Sequence, residues 1–236
     1  MVDLVLTGKL SQERLDVSVR RLLREKFVLG LFDNRFVDPD EAEATVGRAD
    51  FRAAGLAAQR ASVTLLTNAS SDCAAHLPLR AGLRVYGEGV SAGLLGRYVS
   101  VVDRVEDAEV AILRIDAPYE HRLGEFAAFF HAGSLEFPPN ELARILAITD
   151  AVPTIVDIYL DRPAVIPRVA ERASSLLATF GISDEALLDV VTGRDAPRGR
   201  LPFDLPRSMA AVASGAPDVP FDTADPVFRY GHGLGY

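Results

Sequence analysis

Between Asp116 and His131 the chain gathers three carboxylates (Asp116, Glu120, Glu125), Tyr119, Arg122, two histidines and three phenylalanines (Phe126, Phe129, Phe130). Such a set suits sugar recognition. Aromatic faces cover the apolar faces of a sugar ring, polar groups bond its hydroxyls, and a carboxyl among apolar rings keeps its proton to higher pH. A carboxyl that keeps its proton can serve as a general acid. The same composition also suits a surface loop pinned by its own aromatics, and the segment alone does not choose between the two.

A second stretch, Gly87-Glu88-Gly89-Val90-Ser91-Ala92-Gly93, sits between an apolar run and a short helical pattern. A dinucleotide fingerprint needs G-x-G-x-x-G to set the turn, the pyrophosphate approach and the helix packing. Here one residue too many precedes the third glycine, and Glu88 puts negative charge where a phosphate would lie. A tight turn is the plainer reading, and nucleotide binding the weaker one.

Both stretches follow short, β-branched apolar runs. These runs lie at Val63–Thr67, Leu83–Tyr86, Val110–Ile115, Thr154–Leu160 and Leu176–Phe180. Little polar alternation means burial on both faces, as in a parallel sheet. Helical patterns intervene at Asn140–Thr149, Val165–Arg172 and Ser183–Thr192, the last with Ser183 as cap, acids in its first turn and Gly193 as its stop. Strands alternating with helices predict a doubly wound, three-layer αβα sandwich of α/β class with a mostly parallel sheet. In such sheets ligands gather at the carboxyl ends of the strands, where both stretches fall.

Upstream, Ser11 caps a helix with an apolar stripe of Leu15, Val19, Leu22 and Phe27, and Gly30 ends it. Its other face is basic (Arg14, Arg20, Arg21, Arg24, Lys26), read as a solvated or domain-packing face, with an anionic-surface binder as the alternative. Phe32 to Asp40 reads as a linker, and Ala53 to Ala61 as an alanine-rich helix. The expected organisation is therefore a helix and linker over 1–48 and a sandwich over 49–236. The tail from Asp195 is rich in proline and glycine and is expected to wrap the domain.

Composition narrows the function. The 236 residues are 49% hydrophobic, enough for a sizeable core, and carry a formal charge of −8. No basic tract is dense enough to line a phosphate backbone, so nucleic acid is not an expected partner. Cys73 is the single cysteine, which excludes an internal disulfide, and no Cys/His cluster has zinc-site spacing, so no metal is expected. No run approaches the roughly 20 apolar residues of a membrane span. Met1 to Leu10 lacks the basic start, long apolar centre and cleavage site of a signal peptide, and the expected location is the cytoplasm.

Four segments, in order, resemble glycoside hydrolase family 3, the β-glucosidase-like enzymes. Leu10-Ser11-Gln12-Glu13-Arg14-Leu15-Asp16 through Gly30-Leu31-Phe32 is similar to the helix that closes that family's first domain and the linker after it. Ser62-Val63-Thr64-Leu65-Leu66-Thr67-Asn68 with Leu77-Pro78-Leu79 is similar to the start of its second domain, with Thr67 where lysine is usual. Gly193 to Pro206, with Gly199-Arg200-Leu201-Pro202-Phe203, and the ending Phe228-Arg229-Tyr230-Gly231-His232-Gly233-Leu234-Gly235-Tyr236 match two more of its segments.

The resemblance implies a carboxy-terminal domain of a retaining, exo-acting β-glycosidase, without cofactor. In that family a (β/α)₈ barrel carries the aspartate nucleophile and most sugar contacts, and the αβα domain lends the acid/base glutamate. The matching segment here is 116–131, where Pro118-Tyr119-Glu120 is similar to a Pro-Tyr-x-Glu pattern, one residue shorter. Glu120 is thus the first candidate for the acid/base and Glu125 the second, with Tyr119, Arg122 and Phe126 as substrate contacts. A β-glycoside is the expected substrate, and a barrel domain in trans or a second copy of the chain the expected protein partner. The competing reading is a non-catalytic carbohydrate-binding or scaffold domain of the same fold.

Overall fold

The computed structural model describes residues 1–121, 123–124, 129–216 and 218–236. The chain divides into two compact units, Met1–Arg52 and Ala53–Tyr236. In the first, α1 (Val2–Leu6) precedes α2 (Gln12–Val28) and α3 (Pro39–Thr45). Ser11 caps α2 as expected, its hydroxyl accepting from Arg14 N at 3.2 Å, and Gly30 leaves the helix with φ +66°. The stripe residues Leu22 and Phe27 remain 70% and 64% exposed.

The expected linker over 32–40 needs correction at its end. Asp38 accepts from the amides of Asp40 and Glu41, and Pro39 occupies the first turn of α3. Asp-Pro marks a helix start here because proline has no amide to leave unpaired there and its φ is already helical.

The second unit holds one sheet of six strands in the order β1-β6-β5-β4-β2-β3. They are β1 (Thr64–Thr67), β2 (Arg84–Glu88), β3 (Ser100–Val102), β4 (Val110–Asp116), β5 (Thr154–Tyr159) and β6 (Ser175–Thr179). The helices are α4 (Ala49–Ser62), whose first turn lies before the division at Arg52, α5 (Ala92–Leu95), α6 (Pro139–Ala151), α7 (Pro167–Arg172), α8 (Asp184–Val191) and α9 (Met209–Ser214). Alternate residues of each strand feed opposite layers. Leu65, Ile112, Ile155 and Leu177 pack with Leu95 and with Leu187, Leu188 and Val191 of α8. Leu66, Leu113, Val156, Ile158 and Leu176 pack with Ile145 of α6 and Val169 of α7. The three-layer α/β sandwich is therefore the fold, with apolar side chains on both faces of its central strands.

Two strands depart from expectation. β3 is a three-residue edge strand, too short and too exposed to leave an apolar run in the sequence. β1 pairs with β6 antiparallel, with a register shift between Leu65 and Thr67, whereas the other pairings are parallel. No periodicity distinguishes these two directions, since a doubly buried strand looks alike in either. The outer edge of β1 is closed by the tail: Gly199 N donates to Val63 O at 2.9 Å, Leu234 N to Leu65 O at 2.7 Å, and His232 Nε2 lies 2.8 Å from Leu66 O. The wrap thus pairs backbone groups that an open edge would leave as a template for aggregation.

Candidate active site

Parallel β2, β4, β5 and β6 deliver their following loops to one end of the sheet, and the residues with usable chemistry lie there. Beneath them Arg114 and Asp157 stand opposite each other in the β4–β5 register. Arg114 Nε lies 3.1 Å from Asp157 Oδ2, its Nη1 2.5 Å from Asp184 Oδ1, and its Nη2 donates to Ile182 O at 2.6 Å. Asp157 is fully buried, and burial pushes its carboxyl up to about 7 against the opposing pull of Arg114. Asp184 in turn accepts from Ser91 N at 2.9 Å. The glycine stretch after β2 is thereby tied down by a carboxylate. Gly89, at φ +73°, lies so close to Arg114 O that a Cβ would stand 2.2 Å from it. Gly87, whose Cβ would meet Leu95 at 2.3 Å, and Gly89 therefore serve close packing, whereas Gly93 has open space around it.

Above this pair, Ala117 N donates to Tyr159 O at 2.9 Å, which continues the ladder and aims Pro118-Tyr119-Glu120 outward. Tyr119 stacks on His131 with ring centres 3.7 Å apart and planes at 7°, while His121 meets its edge at 4.7 Å. One face of Tyr119 is therefore already covered. His131 Nδ1 is bonded to Asp161 Oδ2 on the loop after β5. Glu120 is exposed, but its backbone and side chain are held: its amide donates to Ala132 O at 2.9 Å, and its Oε1 accepts from Ser134 N at 2.9 Å. Between those two residues Gly133 takes φ +84°, and a Cβ there would fall 2.2 Å from the Glu120 carboxyl carbon. The positive φ favours glycine, and a Cβ here would push the end of the Glu120 side chain from its present place. Arg162 Nη2 donates to Gly133 O at 2.8 Å.

Of the residues picked out by sequence, Tyr119 and Glu120 stand together at this end of the sheet. Arg122, Glu125 and Phe126 lie outside the described residues. Sequence reasoning missed Asp161, Arg162, Gly133 and Ser134. The first two were signalled by their place directly after the apolar run 154–160, the position already taken as diagnostic for 116–131. Beside Tyr119 an open groove of about 290 Å³ is lined by Asp116, Glu141 and Arg144. Arg144 is committed to Glu141 at 2.6 and 3.0 Å and to Glu88, which hold its guanidinium firmly charged. Among the described residues, no cluster of three or more His, Cys, Asp or Glu is disposed to hold a metal ion.

The profile of the glycosyl hydrolase family 3 C-terminal domain matches residues 96–236. The chain belongs to that family. It is 54% identical over 237 residues to Beta-glucosidase C of Emericella nidulans, covering 100% of this chain and 38% of that protein. It is 38% identical over 239 residues to the Periplasmic beta-glucosidase/beta-xylosidase of Dickeya chrysanthemi, covering 99% of this chain and 36% of that protein. The family 3 chain thus spans between a third and two fifths of the length of these relatives and corresponds to their carboxy-terminal domain. A crystal structure of beta-glucosidase from Listeria innocua superposes with a TM-score of 0.71 at 20% identity, covering 100% of this chain and 41% of the other. Beta-glucosidase 3B from Thermotoga neapolitana superposes with a TM-score of 0.65 at 16% identity, covering 100% and 44%. At such identities these superpositions speak for the fold.

Proposed function

We propose that this family 3 domain is the carboxy-terminal half of a retaining, exo-acting β-glycosidase, β-glucosidase-like, in which Glu120 is the general acid/base. The observation that carries this reading is the way Glu120 is held at the carboxyl end of the sheet: exposed toward solvent, yet fixed through Ser134 N–H and the space left by Gly133. A retaining glycosidase needs two carboxyls about 5–5.5 Å apart, one ionised to attack the anomeric carbon and one protonated to release the leaving oxygen. The chain offers the second. The aspartate nucleophile and the sugar pocket belong to the amino-terminal portion that the longer relatives possess, joined in cis or supplied in trans. Their names support a β-glucoside or β-xyloside as substrate.

The test uses a protein in which this chain follows such an amino-terminal portion. Glu120→Gln should slow glycosides with poor leaving groups far more than activated aryl glycosides, because only the former need a proton at the departing oxygen. Added azide should restore turnover of the activated substrates, since it attacks the glycosyl-enzyme without a general base. If Glu125→Gln shows these behaviours and Glu120→Gln does not, the acid lies five positions further along. If neither does, the domain binds carbohydrate or scaffolds without lending an acid.

A further inference from the structure

The peptide unit between Gly133 and Ser134 is used at both ends. Its carbonyl oxygen accepts from Arg162 Nη2 at 2.8 Å, and its N–H donates to Glu120 Oε1 at 2.9 Å. In a planar trans peptide these two groups point in opposite directions along one conjugated unit. A guanidinium on the oxygen therefore strengthens the N–H as a donor, because hydrogen bonds in series polarise one another. Two residues earlier the chain is gripped from the same loop, His131 bonding Asp161 through Nδ1 while its ring lies on Tyr119. Ala132, between the two gripped residues, accepts from the Glu120 amide. The segment 131–134 is thus fastened on one side to the loop after β5 and on the other to Glu120.

We propose that Arg162 and Asp161 are positioning residues for Glu120, acting through the Gly133–Ser134 peptide and the His131–Tyr119 stack. This rests on Glu120 being the working carboxyl. Arg162 does not touch it; its positive charge reaches the carboxylate through the polarised peptide, and a Cβ at 133 would displace the Glu120 side chain from its present place. Asp161 fixes where the segment begins. The pair makes the position of an exposed carboxylate depend on a loop from another strand.

The experiment follows the Ser134 amide signal by nuclear magnetic resonance in the 236-residue chain as Glu120 is titrated. Since that N–H donates to the carboxylate, its shift steps when Glu120 ionises, and Glu120→Gln removes the step and so identifies it. Arg162→Ala should reduce the step by about 10–30% through lost polarisation, and further where the segment shifts; Asp161→Ala should reduce it as well, and Arg162→Lys should keep most of it. Arg172→Ala, which breaks only a surface pair with Asp150, serves as the control and should leave it whole. Where an alanine variant does not fold, Asp161→Asn and Arg162→Gln give the same readout. A full step in both the Arg162 and the Asp161 variants overturns the proposal. In the longer, active protein Arg162→Ala should lower kcat on poor leaving groups about 10²-fold, the cost of a misplacement of about 1 Å, with KM nearly unchanged. A reduced Ser134 step together with a silent Glu120→Gln in catalysis would remove the acid/base role and leave the positioning intact.

Discussion

Asp157 makes the pH dependence of stability a direct test of how the carboxyl end of the sheet is built. Burial raises its carboxyl from 3.8 to about 7, so between those values the folded chain holds a proton that the unfolded chain has released. Stability must therefore fall as pH rises through this window, with the full cost present above about 7 and none below about 4. Multiplying the rise of about 3 by about 1.4 kcal/mol per tenfold gives roughly 4 kcal/mol, of which about 3 lies between pH 5 and pH 8. Asp157→Asn keeps the shape and removes the charge. It leaves Arg114 its contact with Asp184 at 2.5 Å and its bond to Ile182 O. Urea unfolding of both proteins at about pH 5 and about pH 8 isolates the effect, since every other ionisable group is common to the two. The Asn variant should gain about 3 kcal/mol relative to wild type on going from the lower to the higher pH. Parallel pH profiles, or a wild type that gains on the variant as pH rises, would refute the reading of Asp157 as a carboxyl whose burial outweighs its partner.

Two further substitutions probe glycines at which a Cβ would meet a close neighbour. Gly133→Ala sets a Cβ 2.2 Å from the Glu120 carboxyl carbon and 2.4 Å from its Oε2, so the carboxyl must retreat by about 1 Å. In the longer active protein that should cost about 10² in kcat on poor leaving groups, and the left-handed backbone adds about 1–2 kcal/mol of strain to unfolding of the chain. Unchanged kinetics in a variant whose Ser134 amide shift shows the carboxyl displaced would remove Glu120 from the reaction. Gly199→Ala puts a Cβ 2.3 Å from Ser62 O and from Thr64 Oγ1, against backbone that cannot swing aside. It should destabilise the chain by about 2 kcal/mol or more and expose the edge of β1, read as faster amide exchange at Gly199 and Leu234, the donors to Val63 and Leu65.

The layered fold was legible in the sequence because its causes are local. Ser11 and Ser183 cap their helices through their own hydroxyls, and runs such as Val110–Ile115 and Thr154–Leu160 need burial on both faces wherever they pair. The same local logic pointed to the loop after β4 as a place to look for chemistry, whereas Glu120 within it was singled out only by the resemblance to family 3. Other features were decided only in three dimensions. The antiparallel direction of β1 depends on which edge of β6 it meets, and the closing of β1 by Leu234 joins residues 169 positions apart, so no window of sequence contains either. The partners of Glu120 are hidden in the same way. The peptide at 133–134 is an ordinary Gly-Ser pair until the return of the loop sets it against residue 120. Arg162 looks like any charge after a strand until the parallel pairing of β4 with β5 brings the two loops together. Residue types and spacing declare what a segment can form; which group a buried or gripped side chain meets is a matter of register, and register belongs to the assembled sheet.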